Sequence, residues 1–407
     1  MNPTDLPQWN LPAGVSSRFV DTSPVGLIFH ILESLPIQSQ ETRPPLILLL
    51  HGFPNLAYDW RFIMPKLAKA GYYAVAFDMR GFGRSHNADL SPIKEETIRP
   101  MVAIRDVVTL VNALGYDSVH TLVGHDLGAF MASICALLRP DLIKSLLLMA
   151  HPWKGPPSLP FGRAPAASLE SLIPAPKVHD WEKHRDPDLP SSLAKLDPPR
   201  KHYKWYNASA AASDEWTYPI GQPLRDFLSG YFHIKSGDFT YNEIHPLKSW
   251  TAEELAVMPY YYVMRADLTM RENVERELSR ESRAGLEKSD KKPWLTDADL
   301  DIYEQEFSRN TFSTCLLWYR VHVNPVLSAD LLCFSGMKLA IPTKYVSGTR
   351  DWGTYQVPGA LEAMEQGVSV APECWRGALH IPGAGHWINM EKPDESAAEI
   401  LKLAETV

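Results

Sequence analysis

The sequence predicts an α/β protein built on a mostly parallel, doubly wound sheet, with a mainly helical segment inserted as a cap. Three observations lead there. Short apolar runs alternate with longer segments of helical spacing, the pattern of parallel strands joined by crossover helices. The runs are too uniformly apolar for a sheet with one wet face, so helices must cover both faces. The alternation also stops near Ala150 and resumes only after about residue 335.

RFVD (18–21) and GLIFHILE (26–33) are weaker strands and suggest an antiparallel start. LILLL (46–50), YYAVAF (72–77), SVHTLV (118–123) and SLLLMA (145–150) are the central strands. Between them WRFIMPKLAKAG, AIRDVVTLVNALG and LGAFMASICALLRP carry helical spacing and end at Gly71, Gly115 and Pro140, which are ordinary stop signals. HPWKGPPSLPFGRAPA (151–166) is a proline- and glycine-rich boundary. Beyond it the chain is dense in Trp, Tyr, Phe and His, with helical stretches and no core-like strand. IPTKYVSG (341–348), VPGALEAMEQG, GALHIPG (377–383) and DESAAEILKLAET then give strand, helix, strand and closing helix. The domains expected are 1–150 as the first part of the core, 151–335 as the cap and 336–407 as the second part. Such a cap lies over the carboxyl ends of the strands, where open α/β sheets bind ligands.

Composition narrows the function. The chain of 407 residues is 45% hydrophobic, enough for a large buried core. A net charge of −8 leaves no basic stripe for nucleic acid. The longest purely aliphatic run, Leu46 to Leu50, is too short to span a bilayer, and the first residues lack the pattern of a signal peptide. Cys135, Cys315, Cys333 and Cys374 are scattered without metal-ligand spacing, which fits buried thiols in a reducing, cytoplasmic compartment. The partner expected is a small-molecule substrate, with a homodimer possible; neither nucleic acid nor a membrane span is expected.

The chemistry centres on LVGHDLGAFMA (122–132). An apolar strand, a glycine-flanked turn and a helix of small residues make a nucleophile elbow, usually G-x-S-x-G, with Asp126 where serine normally stands. The following helix points its N-terminus at Asp126 and favours negative charge there. A carboxylate displaces a leaving group from saturated carbon well and leaves an ester, whereas its attack on a carbonyl gives an unfavourable anhydride. The choice of aspartate therefore favours epoxide opening or dehalogenation. The bland alternative is an aspartate that merely caps the helix.

An ester needs a base for its hydrolysis. His386, in GAGHW (383–387), follows the last strand and small loop residues, in the chain order expected of this layout. Asp351, in GTRDWG (348–353), lies at a strand's carboxyl end, where it can orient the imidazole; a simple turn aspartate is the alternative. His125, beside the elbow, is expected to point into the fold. Charge on the ester oxygen calls for backbone donors. Leu127 supplies one, and Phe53 in HGFP (51–54) the second, because Pro54 has no N–H. An epoxide oxygen leaves as a strong base and needs a proton, which a tyrosine can give. The two densest aromatic clusters carrying tyrosine, KHYKWY (201–206) and LLWYR (316–320), offer several, and the residues alone do not choose among them.

HGFP, DMRGFGRS (78–85), GHDLGA and GAGHW together resemble the epoxide-hydrolase branch of the α/β-hydrolases, over the chain from about Leu46 onward. The likeness is greatest to fungal members with a long cap. The resemblance implies an α/β-hydrolase fold, Asp126 as nucleophile, Asp351 and His386 as the charge pair, and Phe53 with Leu127 as backbone donors. It also implies that Tyr203 and Tyr319 bind and protonate the epoxide oxygen, with no metal or organic cofactor. Trp318, Trp387 and Phe53 are expected to line the substrate beside these tyrosines.

Two departures matter. Leu127 stands where haloalkane dehalogenases place a halide-holding tryptophan. Leu127 and Phe130 also offer no arginine such as fluoroacetate dehalogenases use for a substrate carboxylate. The reading is a two-step epoxide hydrolase that forms an alkyl-aspartyl ester and releases a vicinal diol from a bulky, apolar substrate. The alternatives are a dehalogenase with the same nucleophile and an epoxide-opening cyclase. A ligand sensor of negligible turnover is disfavoured by the complete Asp–Asp–His set. The charged stretch 271–294 is expected to be a solvated helix and loop without a role.

Overall fold

A computed structural model describes residues 2–36, 43–159, 185–284 and 293–407. Its frame is an eight-stranded sheet of β1 (Ser16–Asp21), β2 (Ile28–Ser34), β3 (Leu46–Leu50), β4 (Tyr73–Phe77), β5 (Thr121–His125), β6 (Leu146–Met149), β9 (Thr343–Gly348) and β10 (Trp375–Ile381). The spatial order is β1-β2-β4-β3-β5-β6-β9-β10. β1 and β2 pair antiparallel with each other, and β2 pairs antiparallel with β4; every other ladder is parallel. All residues of β3, β4, β5 and β6 are buried, as their apolar character requires of strands covered on both faces.

Two boundaries differ from the sequence reading for local reasons. The predicted strand 118–123 is shifted to Thr121–His125. Near its start Val119 makes only an isolated bridge to Ile143, while Gly124 and His125 continue the ladder against Leu148 and Met149. The predicted helix 60–71 breaks into a short 3-10 turn (Ala57–Trp60) and α1 (Met64–Lys69), with Pro65 in the first turn of α1, where its missing N–H costs nothing. α2 (Pro100–Ala113) and α3 (Leu127–Leu138) complete the crossovers that precede β5 and β6.

Between β6 and β9 lie short helices, among them Tyr203–Ala208, Gln222–Ile234, Met270–Arg283, Asp297–Asn310 and Leu317–Val323. A feature absent from the helical reading is the small antiparallel ladder of β7 (Arg200–His202) and β8 (Val263–Arg265). The boundary stretch 151–166 lies outside the described residues from 160 onward, as do residues 285–292 of the charged stretch. The rest of that stretch corrects the expectation of a merely solvated element. Asn273, Val274, Glu277 and Glu281 are buried, and the Arg271 guanidinium donates to the carbonyls of Glu215, Trp216 and Thr217. No helix among the described residues is long and apolar enough to cross a membrane.

The helix Asp297–Asn310 is clasped to the sheet layer by buried polar groups. Arg84 donates to Glu306 at 2.6 Å, and the Trp9 indole donates to the same carboxylate oxygen at 3.2 Å. The Tyr58 hydroxyl and the Arg61 guanidinium reach Asp299 at 2.8 and 2.9 Å. Both members of the Arg84–Glu306 pair are almost wholly buried. Removing one partner of such a pair leaves an uncompensated charge, whereas replacing both by apolar side chains avoids that. Glu306→Ala is therefore expected to destabilise the protein by about 3–5 kcal/mol in chemical denaturation, and Arg84→Met with Glu306→Leu by much less. Equal losses in the single and double variants would contradict the clasp.

Candidate active site

β5 ends at His125 and α3 begins at Leu127, so Asp126 alone makes the turn. It sits at φ 52°, ψ −114°, a conformation that costs a non-glycine residue about 1–3 kcal/mol. Flanking glycines admit it. A Cβ at Gly124 would stand 2.3 Å from the Gly128 carbonyl oxygen, and one at Gly128 would stand 2.4 Å from that of Leu50. The Asp126 side chain makes no capping bond to α3, which removes the bland reading, and the residue keeps 9% exposure.

Its two oxygens have different neighbours. Oδ1 accepts the backbone N–H of Phe53 at 3.0 Å. Oδ2 lies 3.4 Å from Nε2 of His386. The Leu127 amide opens α3 and so has no intrahelical acceptor. The Phe53 loop is itself fixed from below, since Nε2 of His51 accepts the N–H of Met79 at 3.0 Å.

His386 is 1% exposed and held on three sides. Its Nδ1 meets Asp351 Oδ1 at 2.9 Å, its N–H donates to the Lys235 carbonyl at 2.8 Å, and its own carbonyl contacts Nε2 of His125 at 2.7 Å. His125 thus points into the fold, as expected, and supports the loop that carries His386. Asp351 accepts further bonds from the Ser347 hydroxyl at 2.8 Å and the Gly353 N–H at 2.7 Å.

The electrostatics follow from this packing. Burial and the Lys235 ammonium push the His386 pKa down, but Asp351 and Asp126 push it up by more, so the net value is raised. Burial pushes both carboxyls up, yet the pKa of Asp126 ends well below the usual range and that of Asp351 ends lowered; His386 is the leading cause for each, with Lys235 helping at Asp126. In the resting site the two flanking carboxylates favour the protonated form of His386 against burial and Lys235.

The two tyrosines singled out by resemblance come together. Their ring centroids are 5.7 Å apart, and the Tyr319 ring lies 5.2 Å from Phe53 in an edge-to-face contact. Burial, with the charge of Asp126, raises both hydroxyl pKa values well above 10, so both stay protonated donors. The Tyr203 hydroxyl donates to Oε1 of Gln356 at 2.7 Å. The tryptophans differ from expectation. The Trp318 indole donates to the Arg80 carbonyl at 3.0 Å, and its ring joins Leu50, Phe77, Met79 and Met131 around a small cavity on the core side. Trp387 is fully buried, packs 4.7 Å from the His386 ring, and donates to the Phe232 carbonyl at 2.8 Å. Both are packing residues, held by the cap–core junction.

Three residues near this centre escaped the sequence reading: Gln356, Lys204 and Lys235. Lys235 is buried with its ammonium 5.0–5.4 Å from the rings of Trp387, Tyr262 and Tyr231. Nothing in the sequence marks a lysine as buried, since lysine usually keeps its head in water. Among the described residues no group of three or more His, Cys, Asp or Glu could hold a metal ion.

Comparison with known proteins agrees with this geometry. A family model described as the alpha/beta hydrolase fold matches residues 45–190. Epoxide hydrolase B of Mycobacterium tuberculosis is 31% identical over 376 residues, covering 91% of this chain and 93% of its own. Epoxide hydrolase 3 of Siraitia grosvenorii is 27% identical, covering 88% and 90%. Among solved structures, an epoxide hydrolase from an endophytic Streptomyces superposes with a TM-score of 0.71 at 26% identity, over 97% and 96% of the two chains. Potato (Solanum tuberosum) epoxide hydrolase I, 22% identical with a TM-score of 0.63 over 97% and 100%, shares the fold.

Removing one of the two anions that flank His386 lowers its pKa. Asp126→Ala is expected to shift the imidazole titration to lower pH, measured by NMR of the ring protons. An unchanged or higher value would separate the two residues.

Proposed function

The chain belongs to the epoxide hydrolases of the α/β-hydrolase fold, and from that premise we propose that Asp126 opens an epoxide through a covalent ester which His386 then hydrolyses. One observation carries the reading: a carboxylate, where a hydroxyl is usual, shares its oxygens between the Phe53 amide and the His386 imidazole.

In the first step Oδ2 of Asp126 attacks an epoxide carbon from the back, from about 3–3.5 Å. A C–O bond forms to that carbon and its bond to the epoxide oxygen breaks. Tyr319 donates to the departing oxygen, and Tyr203 joins it once its hydroxyl turns from Gln356 to the substrate. Oδ1 stays with the amides of Phe53 and Leu127, where negative charge develops in the second step.

Alkylation removes the charge of Asp126, so one of the two influences raising the His386 pKa disappears while Lys235 remains. The imidazole then gives up its proton more readily; that proton replaces the one the tyrosines pass to the alkoxide left by ring opening, and His386 becomes a base. It takes a proton from water as that water attacks the ester carbonyl carbon, with Asp351 stabilising the imidazolium. Collapse of the tetrahedral intermediate breaks the bond between the ester carbonyl carbon and the alkyl oxygen. His386 returns the proton to that oxygen, then takes up the proton of the Asp126 carboxylic acid, which restores the carboxylate, and the diol leaves.

Two observations favour this over dehalogenation. Leu127 provides no indole, and those of Trp318 and Trp387 are engaged by backbone carbonyls, which leaves neither to cradle a halide. The buried His386–Asp351 pair favours hydrolysis over cyclisation, because an intramolecular displacement has no ester to cleave. The rings of Phe53, Tyr203, Tyr262 and Tyr319 support a bulky, largely apolar substrate. Four free cysteines support a cytoplasmic setting.

A single turnover in oxygen-18 water is expected to give a first diol free of label, with label entering Asp126; label in that first diol would sink the ester route. His386→Gln is expected to accumulate an alkylated enzyme visible by intact-protein mass spectrometry. Tyr319→Phe is expected to lower kcat/KM by about 10²–10⁴-fold, the usual worth of a positioned acid, in steady-state assays on one epoxide. Unchanged kinetics would remove Tyr319 from the scheme.

A further inference from the structure

The structure holds a cavity of about 510 Å³ at the helix that carries Tyr203. Two of its walls are chain neighbours of residues in the proposed scheme. One is Lys204, next in the chain to Tyr203; the other is Val357, next to Gln356, and the Tyr203 hydroxyl bonds Gln356 at 2.7 Å. Arg185 and Lys154 line it further out, with the Trp250 ring and the Gly155–Pro156–Pro157 backbone. Among the described residues that line it there is no aspartate or glutamate. The charged groups among those described residues are Lys154, Arg185 and Lys204.

Lys204 is half-buried. Its ammonium has no ion-pair or hydrogen-bond partner among the described residues; the nearest aromatic ring, that of Tyr203, is centred 6.0 Å away. Burial draws its pKa down to about 8, and the charge of Asp126 opposes that. The histidines nearby add no second positive charge. His151 and His322 are held neutral, at about 4 and about 3, chiefly by burial and then by Lys204. A cation taken partly out of water without a partner is unfavourable, and an anion arriving with a ligand would relieve that cost.

Resting on the epoxide-hydrolase reading, we propose that this cavity is an anion subsite, and that the preferred substrate is an epoxide bearing a carboxylate close to the ring, held by Lys204. The carboxylate accepts from the Lys204 ammonium, Arg185 stands further out on the same cavity, and the epoxide oxygen comes to lie at the adjacent Tyr203 hydroxyl. The apolar body of the substrate faces the aromatic rings. A single inner ammonium suits a monoanion, since no paired guanidinium fork stands at the inner wall for a phosphate.

The test compares 3-phenylglycidate with its uncharged amide on the full-length protein. The wild type is expected to show a kcat/KM for the acid at least about tenfold above that for the amide, the usual worth of a charge-assisted hydrogen bond. Lys204→Met is expected to bring the ratio of acid to amide toward one, and Lys204→Arg to keep most of it. Calorimetric titration with the product diol acid and its amide reads the same preference without turnover. Equal use and equal binding of acid and amide by the wild type would overturn the subsite, as would a preference that survives Lys204→Met. Tight, Lys204-dependent binding of the diol acid by a protein that opens neither epoxide would uphold the subsite and instead strike at the reaction proposed above.

Discussion

The structure depends on how closely β3, β5 and α3 approach one another at Asp126. A carboxylate is lifted out of the fold only if the backbone turns within one residue, and that turn is tolerable only where neighbouring carbonyls can press against hydrogen atoms. Gly124 and Gly128 provide them. The strain at φ 52° is compensated by the buried ladders of β5 on either side, to β3 and to β6. A surface loop would relax; a residue between the sheet centre and a buried helix cannot.

From that fixed point the electrostatics of the site follow. Two carboxylates and one imidazole are buried together, and each sets the ionisation of the others. In the proposed cycle the arrangement changes character when Asp126 becomes an ester. A ring whose protonated form two anions favour then faces one anion and a lysine. In this reading one residue serves as ion-pair partner in the first half of the cycle and as base in the second, without moving.

The cap is more than a lid on this centre. Asp299 and Glu306 fasten it to the core through Tyr58, Arg61 and Arg84, and Tyr303 adds a hydrogen bond to Asp59. That junction belongs to the same insert between β6 and β9 that carries Tyr203 and Tyr319. It also absorbs the tryptophans Trp318 and Trp387, whose indoles tie cap to core. The same packing leaves a cavity with Lys204, Arg185 and Lys154 among its described lining residues.

The sequence by itself determined the sheet, the elbow and the identities at its rim. Short, uniformly apolar runs bounded by turn residues read as strands covered on both sides, and a glycine-flanked aspartate between strand and helix is a local signal. His386 and Asp351 were legible because each follows a strand at its carboxyl end, where a parallel sheet gathers its loops. Only the tertiary structure decided what depends on residues far apart in the chain. It placed Gln356 on Tyr203, turned Trp318 and Trp387 into packing, buried Lys235 among three rings, and drew part of the charged stretch 271–294 into the cap. The physical reason is that a side chain's surroundings, unlike its secondary structure, are set by partners a hundred or more residues away. For charged and aromatic side chains, whose roles change with burial, no local pattern carries that information.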